Sequence, residues 1–135
     1  MYLLDTNVIS ELRKTRPHGG VTAWLNTVDA RDLYVSAVSL GEIQAGIEIT
    51  REQDSAKATE IESWADELPM SWNILPMDTI AFRLWARLMH RRSDSLTNDA
   101  MIAATALVHG LVVATRNVRD FKGLGVDTID PYIIR

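Results

Sequence analysis

Asp5, Glu42, Asp99 and the pair Asn117/Asp120 are the side chains of this sequence best suited to chemistry, and all of them offer oxygen. Carboxylates drawn into one cleft from such distant parts of a chain repel each other unless a divalent cation sits among them. There is no cysteine, and His18, His90 and His109 show no metal-ligand spacing. An oxygen-only donor set points to Mg²⁺ or Mn²⁺ rather than zinc. One such ion, or a pair, can activate a water and steady the charge of a phosphodiester under in-line attack, with no side-chain nucleophile.

Taken singly, each position also has a structural explanation. Asp5 follows an apolar run and precedes Thr6 and Asn7, as an N-cap or turn residue would. Asp99 falls in the first turn of an apolar helix, where the helix dipole favours acid. Asn117 suits a turn, and Asp120 suits the cap of a short turn before Phe121, itself a core residue. Thr105 reads as a helix-packing residue. Glu42 is harder to explain away. Its helical neighbours at three and four positions are Val38, Ser39, Ala45 and Gly46, which offer no cation, and Leu40, Ile43 and Ile47 surround it with apolar side chains.

The elements that must position these residues alternate between strand and helix. Met1–Leu4 reads as a short buried strand and Asp5–Lys14 as a turn leading into a helix. Gly19-Gly20 precede a helix over Val21–Val28, and Leu33–Val35 is a second strand. Helices over Ala37–Ile49 and Glu52–Leu68 follow, the latter stopped by Pro69. Asn73–Leu75 is a third strand, and Asp78 or Thr79 caps a helix reaching Arg91. Thr97 or Asn98 caps the helix Asp99–His109, apolar nearly all round and therefore buried, with Gly110 at its end. Leu111–Ala114 is a continuous apolar strand of the kind covered on both faces, and Thr128–Ile129 a last short one. Such alternation gives an α/β fold: one three-layer α/β/α domain over residues 1–135 with a short, mostly parallel central sheet. Asp5, Glu42, Asp99 and Asn117/Asp120 all fall just past a strand or near a helix start, on the edge where open parallel sheets bind ligands.

Composition sets the class. A chain of 135 residues with 47% hydrophobic content can bury one real core,. The absence of cysteine is compatible with a reducing cytoplasm, and only three residues separate Met1 from Asp5, too few for a signal-peptide apolar region. No apolar run approaches the ~20 residues of a membrane span. The expected location is cytoplasmic, without membrane association. Net charge is −4, which excludes nucleic-acid binding through overall positive charge. Local basic clusters remain: Arg13, Lys14 and Arg16; Arg83, Arg87, His90, Arg91 and Arg92; Arg116, Arg119 and Lys122. Each also reads as a solvated face.

Four segments together resemble PIN-domain ribonucleases, in particular the VapC-type and FitB-type toxins of bacterial toxin–antitoxin pairs. They are Leu-Leu-Asp-Thr-Asn-Val-Ile-Ser-Glu at the start, Ser-Leu-Gly-Glu-Ile around Glu42, Asp-Ala-Met-Ile-Ala-Ala-Thr-Ala from Asp99, and Ala-Thr-Arg-Asn-Val-Arg-Asp-Phe ending at Phe121. The resemblance covers nearly the whole length, in order. It implies a PIN fold, Mg²⁺- or Mn²⁺-dependent endoribonuclease activity, a homodimer, and inhibition by a small cognate antitoxin whose tail enters the catalytic groove, in a higher assembly. By the same resemblance Asp5, Glu42 and Asp99 match three central acidic ligands. The fourth falls on Asp120 with Asn117 assisting, since some relatives carry Asp at the position of Asn117 and others rely on the acid matching Asp120. Thr6, Asn7, Ser39 and Thr115 match polar positions that orient the acids or a bound water. The helical pair from Ala37 to Leu68 corresponds to the region used for antitoxin and dimer contacts. Of Trp24, Trp64, Trp72 and Trp85, which read as core anchors, Trp64 is the best interface candidate, opposite Glu60, Glu62, Asp66 and Glu67.

Two other readings compete. One is a catalytically weak module that binds RNA or an antitoxin and acts by sequestration. The other is a different Asp-dependent α/β enzyme, a phosphatase or a phospho-acceptor receiver. Asn7 and Ile9 leave the Asp-x-Asp phosphatase without its second acid, and the chain-order placement of Glu42 fits a receiver poorly.

Overall fold

The structure, a computed structural model, describes residues 1–133. Five strands, β1 (Tyr2–Leu4), β2 (Leu33–Ser36), β3 (Asn73–Leu75), β4 (Val112–Ala114) and β5 (Thr128–Ile129), form one sheet in the order β3-β2-β1-β4-β5. Every pairing is parallel, so the sheet is wholly parallel where a mostly parallel one was expected. Register sets Leu4 beside Val35 on one side and Ala114 on the other. The chain builds outward from β1 through β2 to β3, then returns to the opposite side for β4 and β5. That reversal puts a topological switch point between β1 and β4, where the C-terminal strand ends open a crevice.

Among the described residues, seven α-helices cover the sheet: α1 (Thr6–Glu11), α2 (Gly19–Leu25), α3 (Ala37–Gln53), α4 (Ser55–Ser71), α5 (Thr79–Met89), α6 (Thr97–His109) and α7 (Val118–Gly123). Alternation along the strands divides the core into two halves. Leu4, Val35 and Ala114 pack with Val8, Val21, Ile43, Ile47 and Leu68 of α1 to α4. Leu3 and Val113 pack with Ala100, Ile102, Ala103 and Phe121 of α6 and α7, and Trp85 of α5 lies against that half. The result is the expected three-layer α/β/α architecture.

Several boundaries moved for local reasons. The helix expected to stop at Pro69 runs to Ser71. A proline so near the end removes a single intrahelical donor, and the Trp72 N–H closes the last turn on the Leu68 carbonyl at 3.0 Å. Its start shifts to Ser55 because Asp54 is the cap, accepting from the Lys57 N–H at 2.9 Å. Helix α2 begins at Gly19, ahead of the expected Val21, because the His18 Nδ1 accepts from the Gly20 N–H at 3.0 Å. Asp78 caps α5 as expected, accepting from the Ala81 N–H at 2.9 Å. Ala100 and Ile102 to Ala106 of α6 are buried, as its apolar circumference required. Among the described residues no helix is long and apolar enough to cross a membrane.

Candidate active site

Asp5 is the first residue past β1, and its N–H donates to the Ala114 carbonyl of β4 at 2.9 Å. The peptide ladder thus carries the side chain to the mouth of the switch point. Asp5 is only 5% exposed. Its Oδ1 accepts from the Thr6 N–H at 2.7 Å, so Asp5 is the N-cap of α1, and its Oδ2 accepts from the Thr115 hydroxyl at 2.8 Å. Cap and site residue are therefore the same residue. Burial holds its carboxyl above the ordinary carboxylate value. The Thr115 and Thr6 hydrogen bonds pull it back, and the charge of Glu42 pushes it further up,.

Glu42 reaches the same cleft from the second turn of α3, whose first turn is capped by Ser36. Its Oε1 accepts from the Thr6 hydroxyl at 2.7 Å and its Oε2 from the Asn98 amide at 3.4 Å. The Thr6 Oγ1 also lies 2.8 Å from the Ser39 Oγ. Thr6 thus ties α1 to α3, and Asn98 ties α3 to α6. Neither Thr97 nor Asn98 caps α6, contrary to expectation. Leu96 occupies the cap position without a side-chain bond, Thr97 donates to the Asp94 carbonyl at 2.7 Å, and Asn98 turns to Glu42.

Asp99 stands in the first turn of α6, and its carboxyl is raised from 3.8 to about 6. Burial is the largest cause, followed by the charges of Asp5, Glu42 and Asp120, while a hydrogen bond from Asn117 acts the other way. The convergence is geometric: Thr6 bonds both Asp5 and Glu42, and Asn117 bonds both Asp99 and Asp120. Asn117 leads into α7 from the N-cap position but makes no side-chain cap bond. Its amide instead donates to the Asp99 Oδ2 at 3.3 Å and the Asp120 Oδ2 at 2.8 Å. A carboxylate only accepts, so Asn117 presents its N–H groups to both acids and works as a spacer between them. Asp120 lies inside α7 and is exposed, so it caps no turn. Phe121 beside it is fully buried.

Among the described residues no ion pair involves Asp5, Glu42, Asp99 or Asp120. Their donor chemistry suits a hard divalent cation. The Oδ1 of Asn7, two residues past Asp5, is buried without a hydrogen-bond partner. Among the described residues, however, no three acidic or imidazole side chains are gathered closely enough to hold a metal as they stand. The Thr6 and Asn117 bonds lie between the acids. The histidines are elsewhere: His18 caps α2, and His90 and His109 are exposed at helix ends.

Thr105 packs, as expected: it is buried and its hydroxyl bonds the Met101 carbonyl at 2.9 Å. A groove of ≈ 260 Å³ adjoins Glu42 and is lined by Thr6, Arg13, Ile47, Ile61 and Trp64. Trp64 is half-buried there. Trp24 is buried, and the Trp85 indole N–H donates to the Thr97 carbonyl at 3.1 Å. Glu62, expected on the open acidic face of α4, pairs with Arg51 of α3 at 3.0 Å. Sequence reasoning missed two parts of the site. Asn98 was read as a cap, and nothing local reveals a partner 56 positions away. Tyr132, whose hydroxyl donates to the Asn7 carbonyl at 3.0 Å, belongs to no motif.

A wholly parallel α/β/α domain with four acids at its switch point defines a class, and comparison with known proteins names it. The PIN domain family matches residues 2–126, and the chain belongs to that family. It is 36% identical over 137 residues to the VapC ribonuclease Y4jK of Sinorhizobium fredii, covering 98% of both chains. It is 33% identical over 140 residues to the toxin FitB of Neisseria gonorrhoeae, covering 98% of this chain and 99% of that one. Among solved structures, FitAB bound to an IR36 DNA fragment superimposes with a TM-score of 0.84 at 29% identity, over 100% of this chain and 98% of the other. FitAcB from Neisseria gonorrhoeae gives 0.80 at 31%, over 99% and 100%.

Proposed function

We propose that this chain is an endoribonuclease dependent on Mg²⁺ or Mn²⁺, acting in the cytoplasm as the toxin of a toxin–antitoxin pair. The observation that carries the reading is the meeting of Asp5, Glu42, Asp99 and Asp120 at one sheet edge, with Asp99 pushed to about 6 by burial and the other three charges. Asp5, Glu42 and Asp99 would hold the cation, with Asp120 as the fourth acid and Asn117 spacing it from Asp99. When bound, the cation supplies an activated water and neutralises charge on the phosphodiester. The protein's own residues keep the acids aimed: Thr115 and the Thr6 N–H hold Asp5, while the Thr6 hydroxyl and Asn98 hold Glu42.

Relatives named as VapC ribonucleases support RNA as substrate. Solved complexes titled FitAB and VapBC support a small cognate antitoxin and a larger assembly with it. The groove between α1, α3 and α4, lined by Trp64, Arg13 and Glu42, suits such a partner, and the working unit in this reading is a homodimer. The test is brief induction of the chain in a bacterial host, with and without a small protein encoded beside it, followed by sequencing of RNA ends. New ends and growth arrest that vanish with the adjacent protein or with Asp5→Asn support the reading. Arrest that persists in Asp5→Asn without new RNA ends replaces it with sequestration.

A further inference from the structure

Arg116 stands between the two residues that wire the acids together. Thr115 before it donates to Asp5, and Asn117 after it donates to Asp99 and Asp120. The Arg116 side chain takes no part in that wiring. Its guanidinium carbon sits 4.2 Å from the centroid of the Tyr132 ring. An exposed arginine on a flexible stem ordinarily samples many rotamers, and stacking on a tyrosine face narrows that freedom.

The ring that holds it is itself fixed from several sides. The Tyr132 hydroxyl donates to the Asn7 carbonyl at 3.0 Å, and its N–H donates to the Asp130 Oδ1 at 2.9 Å. His18 meets its ring edge at 5.1 Å between centroids, and the residue is 8% exposed. One buried ring therefore joins α1, the start of α2 and the loop after β4, and Arg116 lies on its face. Among the described residues Arg116 has no carboxylate partner. The charges acting on Asp5 and Asp99 are those of the other carboxylates. Its chain neighbours Thr115 and Asn117 set Arg116 beside the acidic cleft, and it bonds none of the acids there.

We infer that Arg116, held on the face of Tyr132, binds a phosphate of the RNA strand that flanks the scissile one. The inference rests on the nuclease reading above. A chain of net charge −4 repels a polyanion overall, so affinity must come from local contacts beside the acids. A planar guanidinium matches two phosphate oxygens, and a pre-held one loses less freedom on binding. Because the contact lies outside the reacting centre, it acts on binding and leaves the chemical step alone. Tyr132 is a positioning residue acting through Arg116.

The test uses the purified full chain and an RNA oligonucleotide spanning the mapped cut site, or a mixed-sequence single strand if no cut is mapped. Cleavage gives kcat and KM. Binding is followed by fluorescence anisotropy over a salt series in an Asp5→Asn background, where the strand stays intact. Arg116→Gln is expected to raise KM about tenfold with kcat within about twofold, on the scale of one charge-assisted contact. Its salt slope should be shallower by about 0.7, the value for one phosphate on a single strand. Arg116→Lys should restore the slope but only part of KM. Tyr132→Leu should raise KM when Arg116 is present and add nothing in Arg116→Gln; if Tyr132→Leu does not fold, the Arg116 variants decide alone. Unchanged KM and slope in Arg116→Gln, with the parent chain cleaving normally, overturn the inference and leave the nuclease reading standing. A fall in kcat at constant KM also overturns it. If the parent chain binds RNA without cutting it, the nuclease reading fails, while lost affinity in Arg116→Gln still supports the phosphate contact.

Discussion

Replacing Asp99 by Asn should make the cation-free protein more stable at pH 7.5 while abolishing its activity. The Asp99 carboxyl sits at about 6 against an ordinary 3.8. At about 1.4 kcal/mol per tenfold change in proton affinity, that displacement amounts to ~3 kcal/mol. The side chain is only half-buried, and screening by water reduces the figure to about 1–2 kcal/mol. Losing a first-turn acid from α6 gives back roughly 0.5 kcal/mol of helix-dipole stabilisation, leaving a net gain of about 1 kcal/mol. Because the folded-state value lies above the unfolded one, the penalty is fully present above pH 6. It shrinks as pH falls from about 6 toward 3.8 and is gone below that. Asn does not titrate, so the advantage of the variant should fade over the same window. Urea unfolding in chelator at several pH values, read by tryptophan fluorescence, measures this. Added Mn²⁺ should reverse the order, since only the parent chain gains from binding it. An Asp99→Asn protein no more stable than the parent at pH 7.5, or an advantage independent of pH, would refute the reasoning.

Three further outcomes follow from the same geometry. Thr6→Val removes the hydroxyl that bonds Glu42 at 2.7 Å, and RNA cleavage should fall about 10–100-fold with little change in fold by circular dichroism. Asn117→Ala removes the bond that lowers the Asp99 carboxyl, so the acidic limb of the pH–rate profile, where activity is lost as pH falls, should move to higher pH. Gly20→Ala would put a Cβ 2.6 Å from the Tyr132 carbonyl oxygen. Backbone cannot yield as a flexible side chain does, and the variant should lose about 2 kcal/mol and several degrees of melting temperature.

The three central acids were legible because their neighbours announce strand ends and helix starts. Leu3 and Leu4 read as a buried strand, so Asp5 had to stand at its mouth. Val113 and Ala114 did the same for Thr115 and Asn117. Glu42 stood out because its helix offers no cation within four residues. What stayed hidden depends on contacts between remote segments. Asn98 looks like a helix cap until α3 and α6 are seen side by side, and Tyr132 acquires its place only when the chain after β5 folds back on α1. Asn117 and Asp120 looked like alternatives for one role. In the fold they are hydrogen-bonded to each other at 2.8 Å, and Asn117 faces both Asp99 and Asp120 as a donor. The misread end of α4 has a local cause: a proline breaks a helix in its interior, and Pro69 lies in the final turn.

In the proposed function the acids at the β1/β4 edge form one cation-dependent nuclease centre. The most direct measurement is cleavage of the mapped RNA strand by purified chain across a Mg²⁺ titration, run beside Asp5→Asn and a chelated control. Strand cleavage should saturate with Mg²⁺, disappear in chelator and be lost in Asp5→Asn although that variant still folds and binds RNA. Cleavage that persists in chelator, or in Asp5→Asn at the parent rate, would contradict it.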